Sequence, residues 1–521
     1  MNTAALEDVA LPELLKRSAR ELASHTAVQS DGRRTDFATF DAVSDRIAAA
    51  LAARGVVAGD RIALYCPNSD AFALSYFGIL KAGATVVPIN LLLNPKEVAW
   101  IVADAGARAI VYHEAFTQAV EAIRGSVATL SFSVRIGTAH AGDVAWKTLL
   151  QCSEAPPRVQ TDPARDVAVI LYTSGTTGTP KGAMLSHRNL AANTWSAKEA
   201  MRLESGRDVI LVVLPMFHAF AATVGMLVPL LRGCSFVTLP RFDPEQVADT
   251  IEQAGVTVLP LVPSMYSVLM RLPPASTDKL KGLRFCVSGG AAMPVELMRR
   301  FEDRFGKTIY EGDGPTECSP VTCVNPPGGL RKPGSVGPPV PGVEMEIRGD
   351  DGGSVPDGEV GEICVRGPNV MLGYWNQPEA TREAFFGEWF RTGDLGHRDD
   401  GGYFYIVDRK KDLIIVNGMN VYPRVVEEAL HRHPAVAEAA VVGEPSELHG
   451  EIPVAFLSLR EQTDTATLRA WCREHLGRHE VPRKIFVLDE LPKNAAGKIL
   501  KRELRKQGEI ERGVDSRGEG S

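Results

Sequence analysis

The chain has 521 residues, enough for several domain-sized units, and its 45% hydrophobic content with a mean hydropathy of −0.05 is that of an ordinary soluble globular protein. A net charge of −7 argues against general nucleic-acid binding. The eight cysteines include no Cys-x-x-Cys pair and no His/Cys cluster at zinc spacing, so they read as reduced thiols of a cytoplasmic protein; the first residues lack the basic-then-apolar pattern of a signal peptide.

Along the first three hundred residues, apolar strands alternate with amphipathic helices. Strands are predicted over 61–66, 85–88, 109–112, 167–172, 209–214, 235–239, 256–261 and 283–288, and helices with acidic starts over 41–54, 70–82 and 243–253. This alternation implies a layered α/β fold with largely parallel sheets. The longest uncharged run, 209–231, is about long enough to span a bilayer, but Pro215, His218, Gly225 and Pro229 interrupt it and favour a buried strand, a turn and a core helix. After about residue 333, Gly/Pro-punctuated strands over 343–348, 359–366 and 402–407 predict a smaller barrel-like or meander subdomain. The charged pentapeptide at 408–412, Asp-Arg-Lys-Lys-Asp, marks the main boundary. Residues 1–409 are expected to form a large N-terminal domain, 410–505 a small α+β domain, and 506–521, rich in Arg, Glu, Gly and Ser, a disordered tail.

Residues 172–182, Tyr-Thr-Ser-Gly-Thr-Thr-Gly-Thr-Pro-Lys-Gly, have the composition of a phosphate clamp. Gly175 and Gly178 let backbone N–H groups turn onto an anion, Thr173, Ser174, Thr176, Thr177 and Thr179 add hydroxyl donors, and Lys181 adds charge. It is not the P-loop of kinases and GTPases, because Lys181 stands between Pro180 and Gly182 instead of before a Ser/Thr that opens a helix. A Ser/Thr/Gly-rich surface linker would share the composition. The apolar flanks at 167–172 and 183–185 instead hold the segment between buried strands, where function concentrates.

On these residues the stretch resembles the signature loop of the adenylate-forming superfamily, which includes acyl-CoA synthetases, peptide-synthetase adenylation domains and beetle luciferases. Further motifs extend the resemblance from about residue 10 to about residue 505. Residues 311–317, Glu-Gly-Asp-Gly-Pro-Thr-Glu, are similar to the family's Tyr-Gly-x-Thr-Glu and follow Gly289, Gly290 and Ala291, similar to its Gly-Gly-Ala strand end. By that match Glu317 holds Mg²⁺, a hard cation that wants oxygen ligands beside phosphates, and Thr316 contacts the α-phosphate. Gly289, Gly290, Ala291, Gly312, Asp313 and Gly314 then belong to the ATP/AMP site. The Thr-Gly-Asp ending at Asp394, with Arg409, is implied to hold the ribose hydroxyls. Residues 491–502, Leu-Pro-Lys-Asn-Ala-Ala-Gly-Lys-Ile-Leu-Lys-Arg, resemble the C-terminal lysine motif, which makes Lys498 the catalytic cation and leaves Lys493 and Lys501 as ordinary surface lysines. Lys411 matches the hinge, and Gly418, on a strand over 416–420, the thiol channel for CoA in a second pose.

His218, in the run Leu-Pro-Met-Phe-His-Ala-Phe at 214–220, matches the residue bordering the acyl site, and Ala221, Ala222, Gly225 and Gly314 would leave room for an apolar chain. No acid follows His218 where amino-acid-activating relatives carry one for the substrate amine. The resemblance therefore implies an AMP-forming acid–thiol ligase using ATP, Mg²⁺ and coenzyme A, with a medium- or long-chain fatty or related apolar acid as substrate. Carboxylate attack on the α-phosphorus would release pyrophosphate, and a thiol would then displace AMP. Transfer to a carrier-protein phosphopantetheine, a luciferase-like oxygenase and a catalytically silent acyl-binding protein share the same motifs. Asp313 departs from the family, which usually stacks an aromatic ring on the adenine there; an acid can only accept a hydrogen bond from the adenine amino group. Asp313→Tyr is expected to lower the KM for ATP in steady-state kinetics, and an unchanged or higher KM would place the base on another group.

Overall fold

Runs such as Thr85–Pro88 are apolar and buried at every position, so neither face can meet water and helices must cover both. The structure, a computed structural model, describes residues 8–173, 180–446, 448–494 and 497–506. Two eight-stranded sheets dominate it. In the first, the strands run in the order Cys323–Val324, Ile309–Asp313, Phe285–Ser288, Val258–Leu261, Val209–Val212, Ser235–Thr238, Thr26–Ser30 and Arg33–Asp36, with only the two edge strands antiparallel. In the second, the order is Gly373–Tyr374, Lys181–Ser186, Val167–Thr173, Thr85–Pro88, Arg61–Tyr65, Ala109–His113, Phe132–Ile136 and Val144–Ala145, with only Lys181–Ser186 running against the rest.

Helix Asp70–Lys81 is buried at every position from Ala71 to Leu80, as a helix apolar all round its circumference must be, and joins the core shared by both sheets. Its N-terminus is capped by Ser69, whose hydroxyl accepts from the Phe72 N–H. The helix predicted over 41–54 begins a turn earlier, at Phe37, because the Asp36 carboxylate caps it by accepting from the Thr39 N–H. Asp41 therefore lies inside the helix and, with Asp45, receives Lys81 at 2.5 and 2.7 Å. The uncharged run resolves into strand Val209–Val212, a turn, a π-helical segment Ala221–Leu227 and a short helix Val228–Arg232. Among the described residues no helix is long and apolar enough to cross a membrane.

Beyond these sheets, Glu344–Arg348, Gly361–Arg366, Trp389–Arg398 and Phe404–Arg409 form an antiparallel meander joined by the short strand Phe385–Phe386. One turn of 3-10 helix, Lys410–Asp412, then leads into a separate five-stranded sheet of Met419–Val421, Ile414–Val416, Gly450–Leu459, Val436–Ser446 and Lys484–Val487. Helices Pro423–His431 and Thr465–His475 complete this unit around its own apolar cluster. The strand expected over 416–420 is instead a hairpin turn: Asn417 and Gly418 both have positive φ, of 51° and 79°, which reverses the chain between two strands.

Asn68 ties the two large sheets together. It follows strand Arg61–Tyr65, is 7% exposed, donates to the carbonyls of Leu214 and Leu239 at 2.9 and 3.1 Å, and accepts from the Met216 N–H at 2.7 Å. The loop leading to His218 hangs on these bonds. Asn68→Ala strands several buried polar groups at once and is expected to cost about 3 kcal/mol, read from the urea-unfolding midpoint.

Candidate active site

Strands of both large sheets end at one cavity of about 770 Å³, the place where open α/β sheets present loops rather than side-chain-filled core. From the first sheet come the 214–221 loop, Val262, Gly289 and Gly290, and the 312–317 segment; from the second come Thr173 and Lys181. The meander supplies Thr392, Gly393 and Arg409, the connecting turn supplies Lys411, and the C-terminal unit supplies Asn494 and Lys498. Residues separated by hundreds of positions thus meet at one opening.

The electrostatic centre is a cluster of two acids and two cations. Asp394 and Arg409 are cross-strand partners, which sets them side by side, and Arg409 Nε lies 2.8 Å from Asp394 Oδ1. Asp394 is 4% exposed; burial and the nearby Asp313 push its pKa up to about 6 although Arg409 opposes the rise. Burial likewise raises Asp313, opposed by Arg409 and Lys498. Lys498 lines the cavity and is itself exposed. Burial and Arg409 bring its pKa down to about 8, with Asp394 and Asp313 resisting. His218 is lowered by burial and by Lys498, so its imidazole is neutral at neutral pH.

Lys498 is held by its loop. Its N–H donates to Asn494 Oδ1 at 2.9 Å, and the carbonyl of Gly497 accepts from Ser264 Oγ, at the start of helix Pro263–Leu269, at 2.8 Å. Gly497 has φ of +77°, and a Cβ there would stand 2.7 Å from that same Ser264 hydroxyl, so only glycine lets the loop dock this closely. Lys493 and Lys501 are ion-paired with Glu438 and Glu427 at 2.7 and 2.8 Å.

Glu317 lies in a short 3-10 turn, Thr316–Cys318, after strand Ile309–Asp313. Tyr374 donates to Glu317 Oε1 at 2.9 Å, and Lys181 Nζ stands 5.0 Å from the centre of the Tyr374 ring. Tyr374 escaped sequence reasoning because only the pairing of Gly373–Tyr374 with Lys181–Ser186 brings it here. The half-buried Glu317 carboxylate and the adjacent Thr316 hydroxyl are hard oxygen donors, a set that fits Mg²⁺ arriving with phosphate oxygens of its own.

Of the other sequence-predicted residues, Ala221, Gly289, Gly290, Gly312 and Gly314 line the cavity, whereas Ala222, Gly225, Ala291 and Gly418 do not. Gly225 turns toward strand Val209–Val212, where a Cβ would meet Val212 Cγ2 at 2.8 Å, and so it serves packing of the π-helical segment rather than ligand space. Ala222 is buried within that same segment. Gly418 is exposed at its hairpin tip, with nothing within 4 Å of a Cβ. Gly314 borders the cavity, but the space its missing Cβ would take is filled by the chain's own Pro320 carbonyl, 1.5 Å away. Ser174, Gly175, Thr176, Thr177 and Gly178 lie outside the described residues.

A large α/β body and a smaller C-terminal unit that contributes Lys498 thus share one strand-end cavity, and comparison with known proteins gives the chain a family. The AMP-binding enzyme profile matches residues 15–375, and the AMP-binding enzyme C-terminal domain profile matches residues 425–498. The chain belongs to the AMP-binding enzyme family. It is 36% identical to a long-chain-fatty-acid–CoA ligase of Bacillus subtilis (strain 168), over 96% of this chain and 94% of that protein. It is 37% identical to a feruloyl-CoA synthase of Amycolatopsis sp, over 94% and 97% respectively. Among solved structures, an anthranilate CoA ligase in complex with anthranoyl-AMP superposes with a TM-score of 0.90 at 31% identity, covering 97% of this chain and 99% of that one.

Gly314→Ala must push apart the 314 and 320–322 backbones, and is expected to cost about 4 kcal/mol or more, with a matching fall in the urea-unfolding midpoint.

Proposed function

We propose that the protein is an ATP-dependent acyl-CoA ligase that activates an apolar carboxylic acid as acyl-AMP, releases pyrophosphate, and transfers the acyl group to the thiol of coenzyme A. The observation that carries the reading is Lys498 at the cavity beside the Asp394–Arg409 pair, with Glu317 and Lys181 lining the same cavity. The chemical difficulty is to bring a carboxylate against a polyphosphate, two anions that repel. Electrostatic preorganisation can meet it without a protein nucleophile.

In this reading Asp394 accepts the ribose hydroxyl protons with Arg409 holding it in place, and Thr173 and Lys181 face the phosphates. Glu317 would hold Mg²⁺ with oxygens of the phosphates, and the ion would offset charge on the departing pyrophosphate. Thr316 reaches the α-phosphate, and Lys498 neutralises charge where carboxylate and α-phosphate meet. His218, kept neutral, borders the acyl group without adding a second cation. Beyond it the wall is Phe217, Phe220, Ala221, Val224, Val321 and Val324, with no charge among them. That surface favours an aliphatic or other apolar acid over a dicarboxylate or an amino acid. Residues 1–409 and 410–505 act as two bodies about Lys411, and a rotation there exchanges Lys498 for the Gly418 hairpin when CoA enters. The eight cysteines are all free, seven of them buried, in keeping with a reducing cytoplasm.

The test is pyrophosphate release with ATP and Mg²⁺ over a panel of octanoate, palmitate, benzoate, ferulate, malonate and glycine, with and without CoA. Turnover with the apolar acids and thioester formation with CoA are expected. Adenylation without thioester would instead indicate a carrier-protein acceptor, and no adenylation with any acid a silent binding protein. The active form of Lys498 is the cation, and its folded pKa lies below that of a free lysine. The kcat/KM for adenylation is therefore expected to fall as pH rises through about 8 and, because Asp394 must be ionised to accept the ribose protons, also as pH falls through about 6; Lys498→Arg should move the upper limb upward, and Lys498→Ala should abolish adenylation.

A further inference from the structure

One buried charge at the contact between the C-terminal unit and the rest of the molecule has no part in the reaction outlined above. Glu311 lies in strand Ile309–Asp313, on the segment that leads to Glu317, and is 1% exposed. Its Oε1 accepts from the Met293 N–H at 2.9 Å, while its Oε2 has no hydrogen-bond partner. The cation that faces it is Arg424, in the first turn of helix Pro423–His431, beyond the Lys410–Asp412 turn. Arg424 Nη2 is 3.8 Å from Glu311 Oε1, and the arginine side chain is only 12% exposed. Its Nη1 donates to the Ile406 carbonyl at 2.5 Å, and its backbone N–H donates to Asp408 Oδ2 at 2.9 Å.

All three partners precede the connecting turn and Arg424 follows it, so every one of these contacts crosses between the two bodies. Burial raises Glu311 to about 7 and Glu428 and Asp313 add to the rise, with Arg424 as the principal opposing charge. A carboxylate so placed gains from Arg424 only while the C-terminal unit sits as it does here, and this unit also carries Lys498. Contacts made in one pose and lost in another shift the balance between the two by their full difference in free energy.

We infer that Arg424 is a positioning residue: by closing on Glu311, Ile406 and Asp408 it holds the C-terminal unit in the pose that puts Lys498 in the cavity, and so favours acid activation over thioester formation. The inference rests on the ligase reading for its kinetic consequence, but the latch itself is a property of the two bodies.

The experiment compares wild type with Arg424→Ala, and with Glu311→Gln, which keeps the shape of the carboxylate. In the absence of any substrate, trypsin cleavage after Lys410 and Lys411, followed by mass spectrometry, is expected to be several-fold faster in Arg424→Ala with the melting temperature little changed. With the panel acid that wild type uses best, acyl-AMP formation is expected to fall about tenfold, while thioester formation from the preformed acyl-adenylate and CoA is unchanged or faster. Glu311→Gln should shift both readouts in the same direction, and the double variant should add little to Arg424→Ala. Equal loss in both half-reactions, or cleavage at the turn no faster than in wild type, would overturn the latch. Wild type that adenylates none of the acids would overturn the ligase reading, and the cleavage comparison would still decide the latch.

Discussion

Asp313, Asp394, Arg409 and Lys498 share one region, where burial disfavours the charge of each acid and a nearby cation offsets it. Arg409 comes from the neighbouring strand and is present whatever the C-terminal unit does. Lys498 comes from that unit, so withdrawing it leaves two acids facing one arginine. The charge balance of the cavity is therefore tied to the position of a separate folded body. In the proposed reaction that tie is useful, because the extra cation is needed while two anions are being joined and dispensable once they have reacted.

The scaffold makes this arrangement with a small set of devices. Parallel strands deliver their carboxyl ends to a common opening, and loops there are free to carry polar groups that the sheet interior could not accept. Asn68 fastens the His218 loop to the second sheet, Tyr374 orients Glu317, and Ser264 receives the Lys498 loop. The side proposed for the acyl group is built from the opposite material, apolar side chains on a π-helical turn and on the strand after Pro320. Relatives named long-chain-fatty-acid–CoA ligase and feruloyl-CoA synthase match this chain at 36% and 37% identity, so overall similarity does not by itself choose the acid.

Much of the fold could be read along the chain because its strands are uninterrupted apolar runs with clear punctuation; those over 85–88 and 109–112 differ from the observed strands by at most one residue. The errors have local physical causes. Asp41 looked like a helix start, but Asp36 offers the cap geometry and Asp41 is left to pair with Lys81. Gly225 looked like ligand space, but a glycine is equally what a helix needs to press against a strand. The 416–420 segment looked like a strand, but Asn-Gly is a two-residue turn and makes it a hairpin.

The sequence by itself determined the alternation of buried strands and helices, the order of the motifs, and the residue types able to bind phosphate, a hard cation and an apolar acid. These are decided by periodicity, backbone freedom and side-chain chemistry, all local to a few residues. Tertiary structure alone decided which polar and charged groups meet: Tyr374 beside Glu317, Lys498 beside Asp394, and Arg424 over Glu311. Electrostatic work depends on distance and burial in space, and no local pattern encodes a distance between segments that only the packing of sheets and units brings together.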